Sequence, residues 1–130
     1  MTDNEYLGYK MKTDATIISY VGSGTAARIY FGFGPEVTTA VYPYITYFVV
    51  GNPNTMNHRD RVHYQISVRG KSQGDVKLIA YEIETLFDNK QETVNSFDCQ
   101  NIYWDQSNML MEGKDVYHMA IDIYLSYIHT

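Results

Sequence analysis

Two segments, Pro43-Tyr44-Ile45-Thr46-Tyr47-Phe48-Val49-Val50 and Arg61-Val62-His63-Tyr64-Gln65-Ile66-Ser67-Val68-Arg69, decide the fold. The first is a β-branched and aromatic run opened by a proline, which a strand tolerates at its start. The second alternates strictly. Val62, Tyr64, Ile66 and Val68 share one face and His63, Gln65 and Ser67 the other, the pattern of an antiparallel strand with one buried side. Between them, Gly51 to Asp60 (GNPNTMNHRD) is polar, carries Pro53 and three asparagines, and reads as a loop. Strands adjacent in sequence usually pair, so a long-looped hairpin is expected.

Outward from this hairpin the period changes. Gly70-Lys71-Ser72 breaks the second strand, and Ser72 with Asp75 resembles a capping box. Val76, Ile79, Ala80, Ile83, Leu86 and Phe87 then recur at spacings of three and four, predicting a helix that ends near Asn89. Ser96 to Trp104 and Val116 to Ile128 read as two more strands joined by a hairpin connection from Gln106 to Lys114. In the last strand Met119, Ile121, Ile123, Leu125 and Tyr127 alternate with His118, Asp122, Tyr124 and Ser126. Upstream, Asn4 to Val21 is loosely helical, with Gly8 weakening the pattern and Thr13-Asp14 capping a short second piece. Gly22-Ser23-Gly24 ends it, and Arg28-Ile29-Tyr30-Phe31 is a short strand closed by Gly32-Phe33-Gly34-Pro35. The expected class is α+β: a single, mostly antiparallel or mixed β-sheet of about four to five strands, with helices packed on one face.

Composition bounds the function. The 130 residues fit one domain spanning 1–130, and 45% hydrophobic with 19% charged residues is ordinary globular usage, which excludes a disordered tail or a fibre. A net charge of −5 argues against a dedicated nucleic-acid binder, which needs a basic footprint to displace counterions from phosphate. Cys99 is the only cysteine, so no internal disulfide or thiolate zinc cage forms, and a reducing compartment is expected. Met1-Thr2-Asp3-Asn4-Glu5 lacks the basic and apolar parts of a secretion signal. The apolar run Tyr44 to Val50 is far shorter than the roughly 20 residues that span a bilayer. A soluble domain made inside the cell is expected. Thirteen tyrosines against five leucines favour sheet over helix, and tyrosine suits half-buried strand faces and subunit contacts.

No stretch reads as an active site. Gly22-Ser23-Gly24-Thr25-Ala26-Ala27 fits the G-x-G-x-x-A pattern, but a dinucleotide site needs a following helix, and Gly32, Gly34 and Pro35 break one. The four histidines, 58, 63, 118 and 129, match no known ligand spacing, so no metal is expected. Asp115 and His118, or His118 and Asp122, could still converge with His63 if the outer strands pair, which keeps open a small enzyme or a metal- or ligand-binding domain. Cys99 beside Asp98 is a poor nucleophile and reads as a buried strand residue. His58-Arg59-Asp60-Arg61 is the densest charge cluster, in a loop long enough to dock a partner.

Pro43-Tyr44-Ile45-Thr46-Tyr47, Asp60-Arg61 with the strand Val62 to Val68, and the helix Asp75 to Phe87 together resemble the tail terminator (tail completion) proteins of long-tailed bacteriophages. Asp14 to Gly22 and Arg28-Ile29-Tyr30 can be laid on the leading part of that family's pattern. The chain departs from it at Gly8, which breaks the first helix, at Gly32-Phe33-Gly34, and in the extended Gly51–Asp60 loop. The resemblance implies a virion protein at the head-proximal end of the tail, assembled in the host cytoplasm, with no catalysis and no cofactor. It implies a ring of copies, usually a hexamer, that stops growth of the tail tube and presents a surface to the head. The implied partners are other copies, the tail tube protein and a head-closure or connector protein, with no membrane and with DNA only as passing cargo. Candidate contact residues are Asn54, Met56, Asn57, His58 and Arg59 in the loop, then Tyr44, Tyr47 and Tyr124 on the strands. A head–tail connector or minor tail protein is the alternative within the same morphogenetic module.

Overall fold

Val62, Tyr64, Ile66 and Val68 are all buried beneath the helices, and the other core residues gather on the same side of the sheet. The computed structural model describes residues 1–35, 40–51, 59–113 and 115–128. Its elements are α1 (Asp3–Lys12), α2 (Ala15–Val21), a 3₁₀ turn (Gly24–Ala26), β1 (Ile29–Phe31), β2 (Tyr44–Gly51), β3 (Arg59–Gly70), α3 (Gln73–Leu86), β4 (Lys90–Val94), β5 (Phe97–Met111) and β6 (Tyr117–Ile128). The strands lie side by side in the order β1-β2-β3-β6-β5-β4. β1 runs parallel to β2 and all other pairs are antiparallel.

The α+β class and the covering of one face follow the expectation. The described residues form six strands, above the expected four to five. The added strand is β4, Lys-Gln-Glu-Thr-Val, whose polar composition suits an exposed edge and hides it from a search for apolar alternation. It turns into β5 through Asn95 and Ser96, both at positive φ (47° and 68°), the backbone a two-residue hairpin requires. β5 is also longer than expected. It runs through Gln106–Met111, read from sequence as connection. Bulges at Cys99/Asn101 and Trp104/Gln106 let so long a strand bend with the sheet. At the other hairpin, β3 begins at Arg59, so Arg59 and Asp60 belong to the strand.

Local sequence accounts for the helices. Thr2 and Glu5 form a reciprocal capping box at α1, Asp14 caps α2 through Ile17 N–H, and Ser72 caps α3 through Asp75 N–H. α1 is continuous across Gly8, against the expected break there. α2 covers the apolar stretch that would have to be a strand for a dinucleotide fingerprint, which removes the context for that motif. Gly22 ends α2 at φ 88°, a conformation glycine adopts freely. No helix among the described residues is long and apolar enough to cross a membrane.

The tyrosines explain how α1 is held. Tyr64 donates its hydroxyl to Asp3, Tyr47 donates to the Asn4 carbonyl at 3.1 Å, and Tyr6 donates to Glu92 at 2.8 Å. Each ring is buried and each hydroxyl finds a partner, as a tyrosine in a core requires. Burial drives all three phenols to higher pKa, that of Tyr47 to about 12, so they stay protonated donors.

Candidate functional site

Register partners in antiparallel strands point to the same side, so the face opposite the helices can be read off the pairing. Its cross-strand rows are Tyr44–Arg69–His118–Leu110, then Thr46–Ser67–Ala120–Asn108, then Phe48–Gln65–Asp122–Gln106, then His63–Tyr124–Tyr103. This is the polar side of the alternation, yet its centre is dry. Thr46, Ser67, His118 and Asp122 are all buried, shielded by the longer side chains around them.

At one end, Arg69 gathers the row. Its Nε donates to Glu112 Oε1 at 2.7 Å, its Nη1 donates to Thr46 Oγ1 at 3.1 Å, and its guanidinium stands 6.0 Å from the Tyr44 ring centre. His118 Nδ1 lies 3.2 Å from the second Glu112 oxygen without the alignment of a hydrogen bond. Burial would raise the Glu112 carboxyl, but the Arg69 contact outweighs it, helped by His118, and holds the pKa below its ordinary value. Burial first, and the Arg69 charge second, hold His118 below its own. Above this group opens a cleft of about 520 Å³, walled by Tyr42, Tyr44, Phe48 and Val116 and rimmed by Gly32 to Pro35.

At the other end, His63 Nε2 and Asp122 Oδ1 are 3.1 Å apart, and Gln106 donates to Asp122 Oδ2 at 3.2 Å. The His63, Tyr124 and Tyr103 rings form one stack, with centres 4.5 and 5.3 Å apart. Arg61 closes it, 5.0 Å from the Tyr124 ring centre and donating to the Tyr103 hydroxyl at 2.7 Å. The chemistry on offer is charge pairing and aromatic stacking. Among the described residues no serine or cysteine side chain hydrogen-bonds His63, and no three His, Cys, Asp or Glu side chains are grouped to hold a metal.

Of the residues singled out from sequence, His63 and Asp122 do meet, as β3–β6 pairing dictates, while His118 sits apart with Glu112. Tyr124 lies in the aromatic stack and is half-buried. Tyr44 and Tyr47 are not the exposed strand tyrosines expected: 7% and 5% of their surfaces remain open, because Tyr47 faces the helices and Tyr44 is covered near Gly34. Arg59 is paired to Ile128 through the backbone. Asn54, Met56, Asn57 and His58 lie outside the described residues, as does His129. The sequence reading missed Arg69, Gln106 and Glu112. Arg69 continues the His63, Gln65, Ser67 alternation and could have been found that way, whereas Glu112 reaches it only by tertiary pairing. Cys99 is the buried strand residue expected, and burial raises its thiol pKa.

The same fold occurs in a chain of the virion of a native gene transfer agent particle, at TM-score 0.70 and 12% identity over 94% of this chain and 91% of that one. A second solved chain matches at TM-score 0.57 and 14% identity, over 100% of this chain and 97% of its own. No family model and no curated protein matches the sequence.

Proposed function

We propose that this chain is a structural protein of a phage-like virion and, within it, the tail terminator: a ring on the end of the tail tube that stops growth and offers a surface to the head. The observation that supports a virion role most is the fold shared with the gene transfer agent virion chain over nearly the full length of both. The terminator role rests on the sequence resemblance from Pro43 to Phe87. The chain's negative balance fits passage of DNA, since neutralising phosphates is what retains it, and an assembled ring should have no strongly positive inner wall. Its work is contact alone, with other copies, the tube protein and a head-closure protein.

Light scattering and electron microscopy of the purified protein, with and without tail tubes, test this. Rings at tube ends and tubes of fixed length are expected. Tubes that grow past the added protein, with no particle at their ends, would overturn the terminator role. Stoichiometric zinc or manganese in the purified protein, with turnover lost in His63→Ala or His118→Ala, would overturn the non-catalytic reading.

A further inference from the structure

Among the described residues no strand pairs outside β1 at one end of the sheet, or with β5 beyond Ile102 at the other, and these two edges differ. β4 covers β5 only as far as Ile102, so among the described residues Asp105 to Met111 has β6 on one side and no strand on the other. Glu112 N–H donates to the Val116 carbonyl, toward β6. By alternation, Gln106, Asn108 and Leu110 turn their backbone groups to β6, and Ser107, Met109 and Met111 turn theirs outward. Natural edges are usually blunted by lysine or proline, and Asp105 to Met111 contains neither. Exposed apolar surface of Trp104, Leu110 and Met111 lines this edge.

At the opposite end, Ile45 N–H donates to the Arg28 carbonyl and Gly32 N–H donates to the Tyr47 carbonyl. Ile29 and Phe31, between those positions in the alternation, turn their backbone groups away from β2. Phe31, Phe33 and Val49 leave exposed apolar surface there, Phe33 almost completely.

We propose that the β5 edge of one copy takes the β1 edge of a second copy as an added strand, so that the sheet continues from subunit to subunit. This deepens the ring reading and rests on it for the choice of a second copy as the occupant. Outward N–H and C=O groups supply the pairing, and the apolar side chains beside both edges are buried as the strands meet. Opposite edges of one sheet are different surfaces, so the contact is head-to-tail, the kind that closes into rings when its rotation allows.

Met111→Pro and Phe31→Pro test it in the full-length chain. Each removes one outward N–H at an exposed strand end, where proline is tolerated. Circular dichroism verifies the fold, and if either variant unfolds, Leu110→Lys or Val49→Lys replaces it on the same edge. By size-exclusion light scattering the wild type should assemble, each variant alone should be monomeric, and their equimolar mixture should stop at dimers. The mixture dimerises because each variant keeps the edge the other lacks. Variants that assemble like wild type, a mixture that stays monomeric, or a Phe31→Pro homodimer each overturn the edge pairing. If the wild type does not assemble alone, oxidation of Met111→Cys/Phe31→Cys, whose side chains share the helix-side face of the sheet, decides: a ladder of cross-linked chains supports the pairing and an uncross-linked chain overturns it. Rings at tube ends built from Met111→Pro would leave the terminator reading standing while the edge pairing falls. Absence of wild-type rings on tubes would remove the terminator reading itself.

Discussion

The Tyr47 hydroxyl occupies the space that a side chain at Gly8 would need: a Cβ at that position would stand 2.6 Å from its oxygen. The same hydroxyl is bonded to the Asn4 carbonyl, so the glycine in α1 marks the place where the helix settles on β2. A residue that weakens the helix as a sequence is what allows the helix to dock.

Alanine in place of glycine inside a helix ordinarily stabilises by about 1 kcal/mol. Here Gly8→Ala should destabilise by about 1–3 kcal/mol, because the inserted carbon displaces a buried ring or the helix itself. Adding Tyr47→Phe should recover part of the loss, since the next Tyr47 atom is 3.5 Å from the Cβ position. Urea unfolding midpoints measure both, and a stabilised Gly8→Ala would contradict the packing described.

Tyr6 carries a comparable tether at the other end of the sheet. Its ring stacks on Phe97 at 4.8 Å while its hydroxyl and Lys10 share Glu92. Tyr6→Phe keeps the stack and leaves Glu92 one donor short, at a cost of about 1–2 kcal/mol. Thermal unfolding should fall by about 3–8 °C, and an unchanged midpoint would mean that Glu92 draws nothing from Tyr6.

Acid should weaken the fold in two separable windows. His118 is held below its ordinary 6.5, so the unfolded chain protonates first and stability falls as pH drops below that value. Glu112 is held below its ordinary 4.5, so its contribution is complete above that value and is lost as pH falls through the lower folded one. His118→Gln should flatten the upper window and shrink the lower only in part, because Arg69 still holds the Glu112 pKa down. Glu112→Gln should flatten the lower window and steepen the upper, because it removes the charge that favours protonated His118. Melting temperatures across a pH series separate these outcomes, and parallel curves for all three proteins would refute the assignment.

Cys99 is fully buried in β5 and its thiol pKa is raised, chiefly by burial. A thiol-specific reagent should therefore label the native protein only as fast as it opens, and label it at once in urea. Stoichiometric native labelling within the mixing time would show that β5 does not lie as described.

The central hairpin, the amphipathic α3 and the caps at Asp14 and Ser72 were legible because each is a local relation between residues a few positions apart, whereas the Thr2–Glu5 capping box of α1 was missed. Cys99 as a buried strand residue was legible for the same reason. β4 was not, since an exposed edge strand carries no apolar alternation. The two halves of the polar face escaped in different ways. His63 and Asp122 meet only because β3 lies beside β6, and Glu112 reaches Arg69 only because β5 continues to Met111.

Composition foretold a tyrosine-rich sheet but not the use of its hydroxyls, three of which bind partners that settle α1 and β4 onto the core. Sequence by itself determined which residues of β3 and α3 turn inward, because period and capping act over one or two turns of chain, but not the burial of Tyr44 and Tyr47 in β2. Tertiary structure alone decided which polar groups share the uncovered face and which backbone edges stay open. Those depend on strand order and register, and strand order is set by contacts between segments far apart in the chain.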